Sequence, residues 1–247
     1  MTNVNTLKKM FRAAAFFIVV FAVAQATIVA QTIELNYDFH RGTLGWTAGF
    51  ADYSPNIGTG YELDAGLRFM PRKLTRVPKR GFYIQGHNRS ADLFMFLKRR
   101  LTTEDGIVAG QTYRIEYTIT LASNAASGCA GIGGAPGESV FLKAGASPIE
   151  PITVLQSNNY LRMNVDKGNQ SQSGAAASVA GNVANGILCE QASPYYPFAS
   201  IQRSHQHPTN MTANAAGELW LLVGTDSGFE GLTRLYYQSI RVKLIPV

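Results

Sequence analysis

Along much of this chain apolar and polar residues alternate with a period of two, the spacing that turns one face of a β-strand toward a core and the other toward water. Ile33, Leu35, Tyr37 and Phe39 alternate with Glu34, Asn36 and Asp38, and Tyr61, Leu63, Ala65, Leu67 and Phe69 repeat the pattern. Tyr113, Ile115, Tyr117, Ile119 and Leu121 alternate with Arg114, Glu116, Thr118 and Thr120, and Ile240, Val242 and Leu244 alternate with Ser239, Arg241 and Lys243. Shorter runs at 82–85, 139–143, 161–165 and 219–223 add strands, parted by Gly, Pro, Asn and Ser clusters that turn the chain. Asp92 to Leu101 is the one segment that competes as a helix, with Ser90 or Asp92 as cap. Its continuous run Leu93 to Leu97 has strand length, and Thr102 to Gly106 then reads as a turn, so a strand is expected. Many strands, few helices and no internal repeat predict an all-β fold, a two-sheet antiparallel β-sandwich of jelly-roll type.

The first 30 residues stand outside that pattern. Lys8, Lys9 and Arg12 precede an apolar run from Ala13 to Ala24, and small-x-small cleavage patterns end at Ala26 and Ala30. This reads as a signal peptide removed after Ala26 or Ala30, which directs the protein to the periplasm or the outside of the cell. A retained anchor is the alternative, but Gln25 and Thr27 interrupt the far end of the run. Residues 31–247 are then one sandwich domain, with long loops expected around 123–137 and 166–215. The leader holds three bases and no acids, so the whole-chain net charge of +6 overstates the charge of the exported part. Cys129 and Cys189 are the only cysteines, and an oxidising compartment favours their pairing; two separate buried thiols are the alternative.

Polar loops after strands hold the candidate chemistry. Asp166, Asn169 and Gln170 follow the 161–165 run, Asp226 and Glu230 follow the 219–223 run, and Glu138 closes a glycine-rich loop. If those strand ends are neighbours, their oxygens suit sugar hydroxyls or a hard cation, with Asp226 and Glu230 as the expected calcium ligands. The competing reading is turn chemistry, in which Asp and Asn bond to their own backbone. Tyr195 and Tyr196 sit in a proline-stiffened loop with Phe198 and are candidates to stack on sugar rings, packing back onto the sandwich being the alternative. Trp46 and Trp220 read as core. His205 and His207 have the one-face spacing of a zinc or copper pair, without a third ligand in view. The glycine-rich stretch 131–137 lacks the Lys-Ser or Lys-Thr of a phosphate loop and reads as a mobile tether, and 168–186 as a flexible segment. Arg72, Lys73, Arg76, Lys79 and Arg80 form a basic run with no intervening acid, suited to an acidic glycan or an anionic envelope surface; solvated bases that discourage edge pairing are the bland alternative.

Three segments carry a resemblance. Phe39-x-x-Gly42-x-x-Gly45-Trp46, Gly110-Gln111-Thr112-Tyr113 and Leu235 to Val242 look like the corresponding parts of galactose-binding-like jelly rolls, a group that includes carbohydrate-binding modules of secreted enzymes. Segments 127–139, 163–170 and 224–231 also resemble a family of secreted bacterial proteins, a likeness that implies a shape and no activity. The jelly-roll resemblance implies a structural calcium between first and last strands, for which Glu34 or Asp38 would serve, although Gln238 stands where the relatives carry an acid. The expected function is therefore a secreted, non-catalytic carbohydrate-binding jelly roll, calcium-stabilised in one version. A glycan hydrolase or lyase using Glu138, Asp166, Asp226 and Glu230, and a structural surface or matrix protein, are the competing classes. No nucleic-acid-reading motif and no stable membrane insertion after cleavage are expected.

Overall fold

The computed structural model describes residues 31–89 and 92–247; the leader lies outside the described residues. The alternating segments become strands β1 (Ile33–Asp38), β2 (Thr47–Ala51), β3 (Asp64–Phe69), β4 (Arg80–His87), β5 (Phe94–Leu101), β6 (Thr112–Ser123) and β7 (Val140–Ser147). The short pair β8 (Thr153–Leu155) and β9 (Leu161–Met163) follows, then β10 (Ser178–Asn182), a helical turn α1 (Cys189–Ala192), β11 (Ala199–Gln206), β12 (Met211–Thr212), β13 (Leu219–Ser227) and β14 (Leu232–Pro246).

Among the described residues these build two antiparallel sheets and a separate two-stranded pair, β8 with β9. The seven-stranded sheet runs β11-β6-β14-β4-β3, with β1 beside β14 and β12 beside β6; the five-stranded sheet runs β10-β7-β13-β5-β2. Successive strands β4, β5, β6 and β7 change sheet each time, so the chain winds around a shared core in the manner of a jelly roll. The 15-residue β14 pairs with β4 through Leu232–Tyr237 and with β1 through Ser239–Leu244. Its register against β6 slips by one residue at Gln238, a bulge that bends the strand where it changes partner.

The core lies between the sheets, where the apolar halves of the alternating patterns meet. Phe39, Trp46 and Phe82 pack edge to face at 6.3 and 5.5 Å, and Tyr37 meets Trp46 at 5.5 Å. Arg99 of β5 enters the edge of this core with its charge matched: its Nε donates to Tyr37 Oη at 2.8 Å and its Nη2 pairs with Asp105 at 2.9 Å. Asp105 belongs to the expected turn, a short helical turn at Thr103–Asp105 closed by a capping box with Thr102. Cys129 and Cys189 are disulfide-bonded with Cα atoms 5.1 Å apart, joining the segment after β6 to α1.

Three expectations differ from the structure. The region 166–215 is not one long loop, since it contains β10, β11 and β12, and β11 pairs with β6 over eight residues. The glycine-rich 131–137 stretch is closely packed, with Gly131 and Gly134 against Phe229 and Ser139. Trp220 is half-buried on the outer face of the five-stranded sheet, with Lys98 Nζ 5.6 Å from its ring centre, because its neighbours Leu219 and Leu221 take the inward positions.

Candidate functional site

Each sheet has an outer face, and the two differ in what covers them. On the five-stranded sheet, Phe94 and Phe96 of β5, Leu222 of β13 and Ala51 of β2 point outward yet are buried. Segment 163–177 and the β8–β9 pair lie over them, with Met163 and Val165 packed onto the rings. Gly145 permits this cover, because a Cβ there would collide with the Ala176 carbonyl.

Beneath the cover sits a cluster of buried charges. Asp226, on the outward side of β13, accepts through Oδ2 from Lys143 Nζ at 2.9 Å, Lys167 Nζ at 2.7 Å and the Gln170 N–H at 2.8 Å. Lys143 Nζ also donates to the carbonyls of Lys167 and Gln172, both at 2.8 Å, so each of its three N–H groups has an acceptor. Lys167 reaches Asp52 Oδ2 at 2.7 Å, and Arg162 closes the outer edge with Nη1 3.1 Å from Asp52 Oδ1. Burial lowers the Lys143 pKa; for Lys167 burial acts the same way but is outweighed by Asp226, Asp52 and Asp92, and its pKa rises. Burial first, and then the hydrogen bond to Asp226, push Asp92 up to about 8. The raised pKa favours the protonated carboxyl, a donor that Asp226 can accept, and Asp92 Oδ1 and Asp226 Oδ1 have no hydrogen-bond partner among the other described groups. Asp226 itself is held low, the penalty of burial being overcome by Lys167 and Lys143.

Asp52, Asp92 and Asp226 place oxygens within 4.8 Å of one another, close enough to share a cation. The Lys167 ammonium already stands among them, so the chain supplies its own positive charge there. The expected calcium pair does not fit this arrangement. Asp226 Oδ2 takes three donors, and Glu230 is not in the cluster; it lies by Gly133 in the glycine-rich loop, its N–H donating to the Ile132 carbonyl at 2.8 Å.

The other loop residues prove to be partly gathered. Asp166, Asn169 and Gln170 line a 400 Å³ pocket with Asp52, Asp92, Tyr160 and Arg162 over the cluster. Asp166 braces its own loop, accepting from Gly168 N at 2.9 Å and Ala175 N at 2.8 Å, and these backbone bonds hold its pKa low. That is the turn chemistry the sequence offered as the alternative. Glu138 is elsewhere, accepting from Gly128 N at 3.0 Å beside the disulfide. Tyr195 is 87% exposed and Tyr196 half as much, both following α1 rather than lining the pocket. His205 and His207 bracket Ser178, whose Oγ lies 2.7 Å from His205 Nε2 and 2.7 Å from His207 Nδ1; His207 Nε2 donates to the Ala175 carbonyl at 2.9 Å. Burial lowers both imidazole pKa values, so this bridge is a neutral hydrogen-bond chain that fastens β10 and the covering segment to β11.

The outer face of the seven-stranded sheet has no such cover. Its outward residues are the polar halves of the alternating patterns, aligned across four strands: Glu34, Lys243, Glu116 and Gln206 in one row, and Asn36, Arg241, Thr118 and Ser204 in the next. Asp38, Ser239, Thr120 and Gln202 form a third row. The first two rows line a groove of 740 Å³, the size of a ligand site. Lys243 Nζ is 3.4 Å from Glu34, and Arg114 Nε is 3.5 Å from Glu116. Beyond the bulge the same face ends in Tyr83, Tyr236 and Phe198, with Phe198 and Tyr236 edge to face at 5.3 Å. Apart from Glu34 and Asp38, expected as calcium ligands, and Phe198 in the aromatic loop, these residues read in the sequence as the solvent side of strands. The signal was their chemical variety, carboxylate, amide, hydroxyl and guanidinium at adjacent positions.

No family model matches the chain, and no curated relative does. Among solved structures it is similar to a carbohydrate-binding module from the β-sandwich superfamily at 12% identity and a TM-score of 0.35, covering 85% of this chain and 60% of that one. It is similar to the K1 cleaved adhesin domain of Lys-gingipain from Porphyromonas gingivalis W83 at 8% identity and a TM-score of 0.37, covering 85% and 96%. A family 22 carbohydrate-binding module of Clostridium thermocellum matches at 12% identity and a TM-score of 0.35, covering 84% and 91%.

Proposed function

We propose that this protein is an exported, non-catalytic carbohydrate-binding β-sandwich whose ligand lies along the uncovered outer face of the seven-stranded sheet. The observation that carries this reading is the 740 Å³ groove floored by outward side chains of β1, β14, β6 and β11. Sugar hydroxyls donate and accept at once, and the groove offers both in alternation: Asn36, Thr118, Ser204 and Gln206 with Arg241 among them. Because every one of these residues stands on a paired strand, little ordering is needed when a ligand binds.

Binding is favoured over hydrolysis by where the acids stand. The groove carboxylates Glu34 and Glu116 each have a base beside them, and the carboxyl whose pKa is strongly raised, Asp92, is on the opposite sheet with its proton shared with Asp226. Screening the purified protein on a glycan array, beside a Thr118→Trp variant that fills the groove, tests the reading. Selective glycan binding that the variant loses is expected. Binding that Thr118→Trp leaves intact would place the site elsewhere, and release of reducing sugar from any bound glycan would make the protein an enzyme.

A further inference from the structure

The groove does not stop at Asn36 and Arg241. A second cavity of 330 Å³ shares those two residues and continues past Asp38 and Ser239 to Lys79 and Arg80, at the end of the loop between β3 and β4. From Lys243 to Ser239 the floor advances about 13 Å at the usual strand rise, and the cavity runs on beneath the loop. This is the shape of a track for a chain-like ligand.

The charges along that track are unevenly committed. Its acids have partners: Glu34 lies by Lys243, Glu116 by Arg114, and Asp38 Oδ1 accepts from the His40 N–H at 3.0 Å. Its bases are largely uncommitted. Among the described residues neither Arg241 nor Lys79 enters an ion pair, nor do Arg72, Lys73 and Arg76 on the same loop, while Arg80 reaches the His40 carbonyl at 3.4 Å. No Asp or Glu occurs between Asp64 and Asp92 to offset them.

We infer that the groove takes a linear polyanionic glycan, its carboxylate or sulfate groups meeting Arg241 on the floor and Lys79 and Arg80 at the lip. This rests on the reading of the groove as a carbohydrate site and names the ligand class. An anionic bilayer would also attract the loop, where Phe69 and Val77 are 66% and 59% exposed. Arg241 decides between them, because it stands on the sheet floor, within a groove that a polysaccharide chain enters and a flat surface does not.

The test is calorimetric titration of the purified protein with polygalacturonate, alginate and chondroitin sulfate, against highly methyl-esterified pectin and neutral xylan, at low and high salt. Phosphatidylglycerol vesicles form a separate arm. At least one acidic polymer should bind about tenfold or more tightly than the neutral ones and weaken with salt, as expected for charge-assisted contacts. Arg241→Gln and the double variant Lys79→Gln/Arg80→Gln should each lose about tenfold for that polymer, with unchanged thermal midpoints. Equal affinity for acidic and neutral polymers, abolished by Thr118→Trp, overturns the anionic class and leaves the groove as the carbohydrate site. Binding of any polymer that Thr118→Trp does not disturb overturns the groove itself. Failure of all polymers, or vesicle binding tighter than every polymer, overturns the inference.

Discussion

The two outer faces of this sandwich carry similar residues and put them to opposite use. On the five-stranded sheet, Lys143, Lys167, Asp52, Asp92 and Asp226 are buried under segment 163–177 and satisfy one another. On the seven-stranded sheet, Arg241, Lys243, Glu34 and Asn36 stand at half-buried or exposed positions with no loop above them. Charge out of water must be matched by its immediate neighbours, and here the two lysines and three aspartates spend most of their bonding capacity on one another. Charge at a wet groove keeps that capacity. The buried cluster acts as a latch that holds the cover down, and the bare face is the one proposed above as the binding surface.

Removing Asp226 should separate the two most sharply. Asp226→Ala leaves Lys143 and Lys167 buried without their shared carboxylate and should destabilise the fold by about 5 kcal/mol, the upper part of the range for breaking a buried ion pair. Chemical denaturation measures this, and a loss below about 1 kcal/mol would mean that the latch is open to water. Next in size is the disulfide, which closes a separation of 60 residues. Replacing Cys129 and Cys189 by Ala should lower stability by about 4 kcal/mol on the chain-entropy account, without altering glycan binding at the far groove.

A further effect follows from pH, and it again belongs to the covered side. His205 and His207 have folded pKa values below the usual 6.5, so as pH falls through that value the unfolded chain takes up protons the folded chain resists, and stability falls. Asp92 acts in the other direction. Its pKa is raised from 3.8 to about 8, so the stability it contributes is complete below pH 3.8 and is lost as pH rises toward 8. Thermal midpoints across pH 4 to 9 should thus decline on both flanks, and Asp92→Asn, which keeps a hydrogen-bond donor without a titrating proton, should remove the alkaline decline. A decline that Asp92→Asn leaves unchanged would reassign it. Smallest of all, Arg241→Gln on the bare face should change stability by less than about 0.5 kcal/mol, the usual range for an exposed substitution. A larger loss in the same denaturation assay would make Arg241 part of the scaffold.

Much of the fold was legible in the chain because strands with one wet face advertise themselves. β1, β6 and the end of β14 follow the alternation of Tyr37, Ile115 and Val242 with polar neighbours, and β5 follows its apolar run. β10 and β11 were hidden. Ser-Val-Ala-Gly-Asn has little apolar content, and β11 places only Ile201 among the buried core residues, so both owe their form to pairing with β7 and β6. The site was less legible than the fold. Asp166 was visible as a turn former, and its neighbours Asn169 and Gln170 do share a pocket, but nothing local marks Lys143 or Lys167 for burial. Their partner Asp226 lies far along the chain and meets them only once β7, β13 and the covering segment are in place. The groove was hidden differently: Glu34, Asn36, Thr118 and Arg241 look like any strand's solvent side until the sheet shows that no loop covers them.

The most direct test of the account is amide chemical-shift mapping of the purified protein titrated with whichever polymer binds in calorimetry. With the ligand in the groove, shifts concentrate at Asn36, Thr118, Ser204 and Arg241 and extend to Lys79, while Lys143, Lys167 and Gln170 stay unmoved. Shifts centred on Arg162, Asn169 and Gln170, with the seven-stranded face silent, would contradict the account.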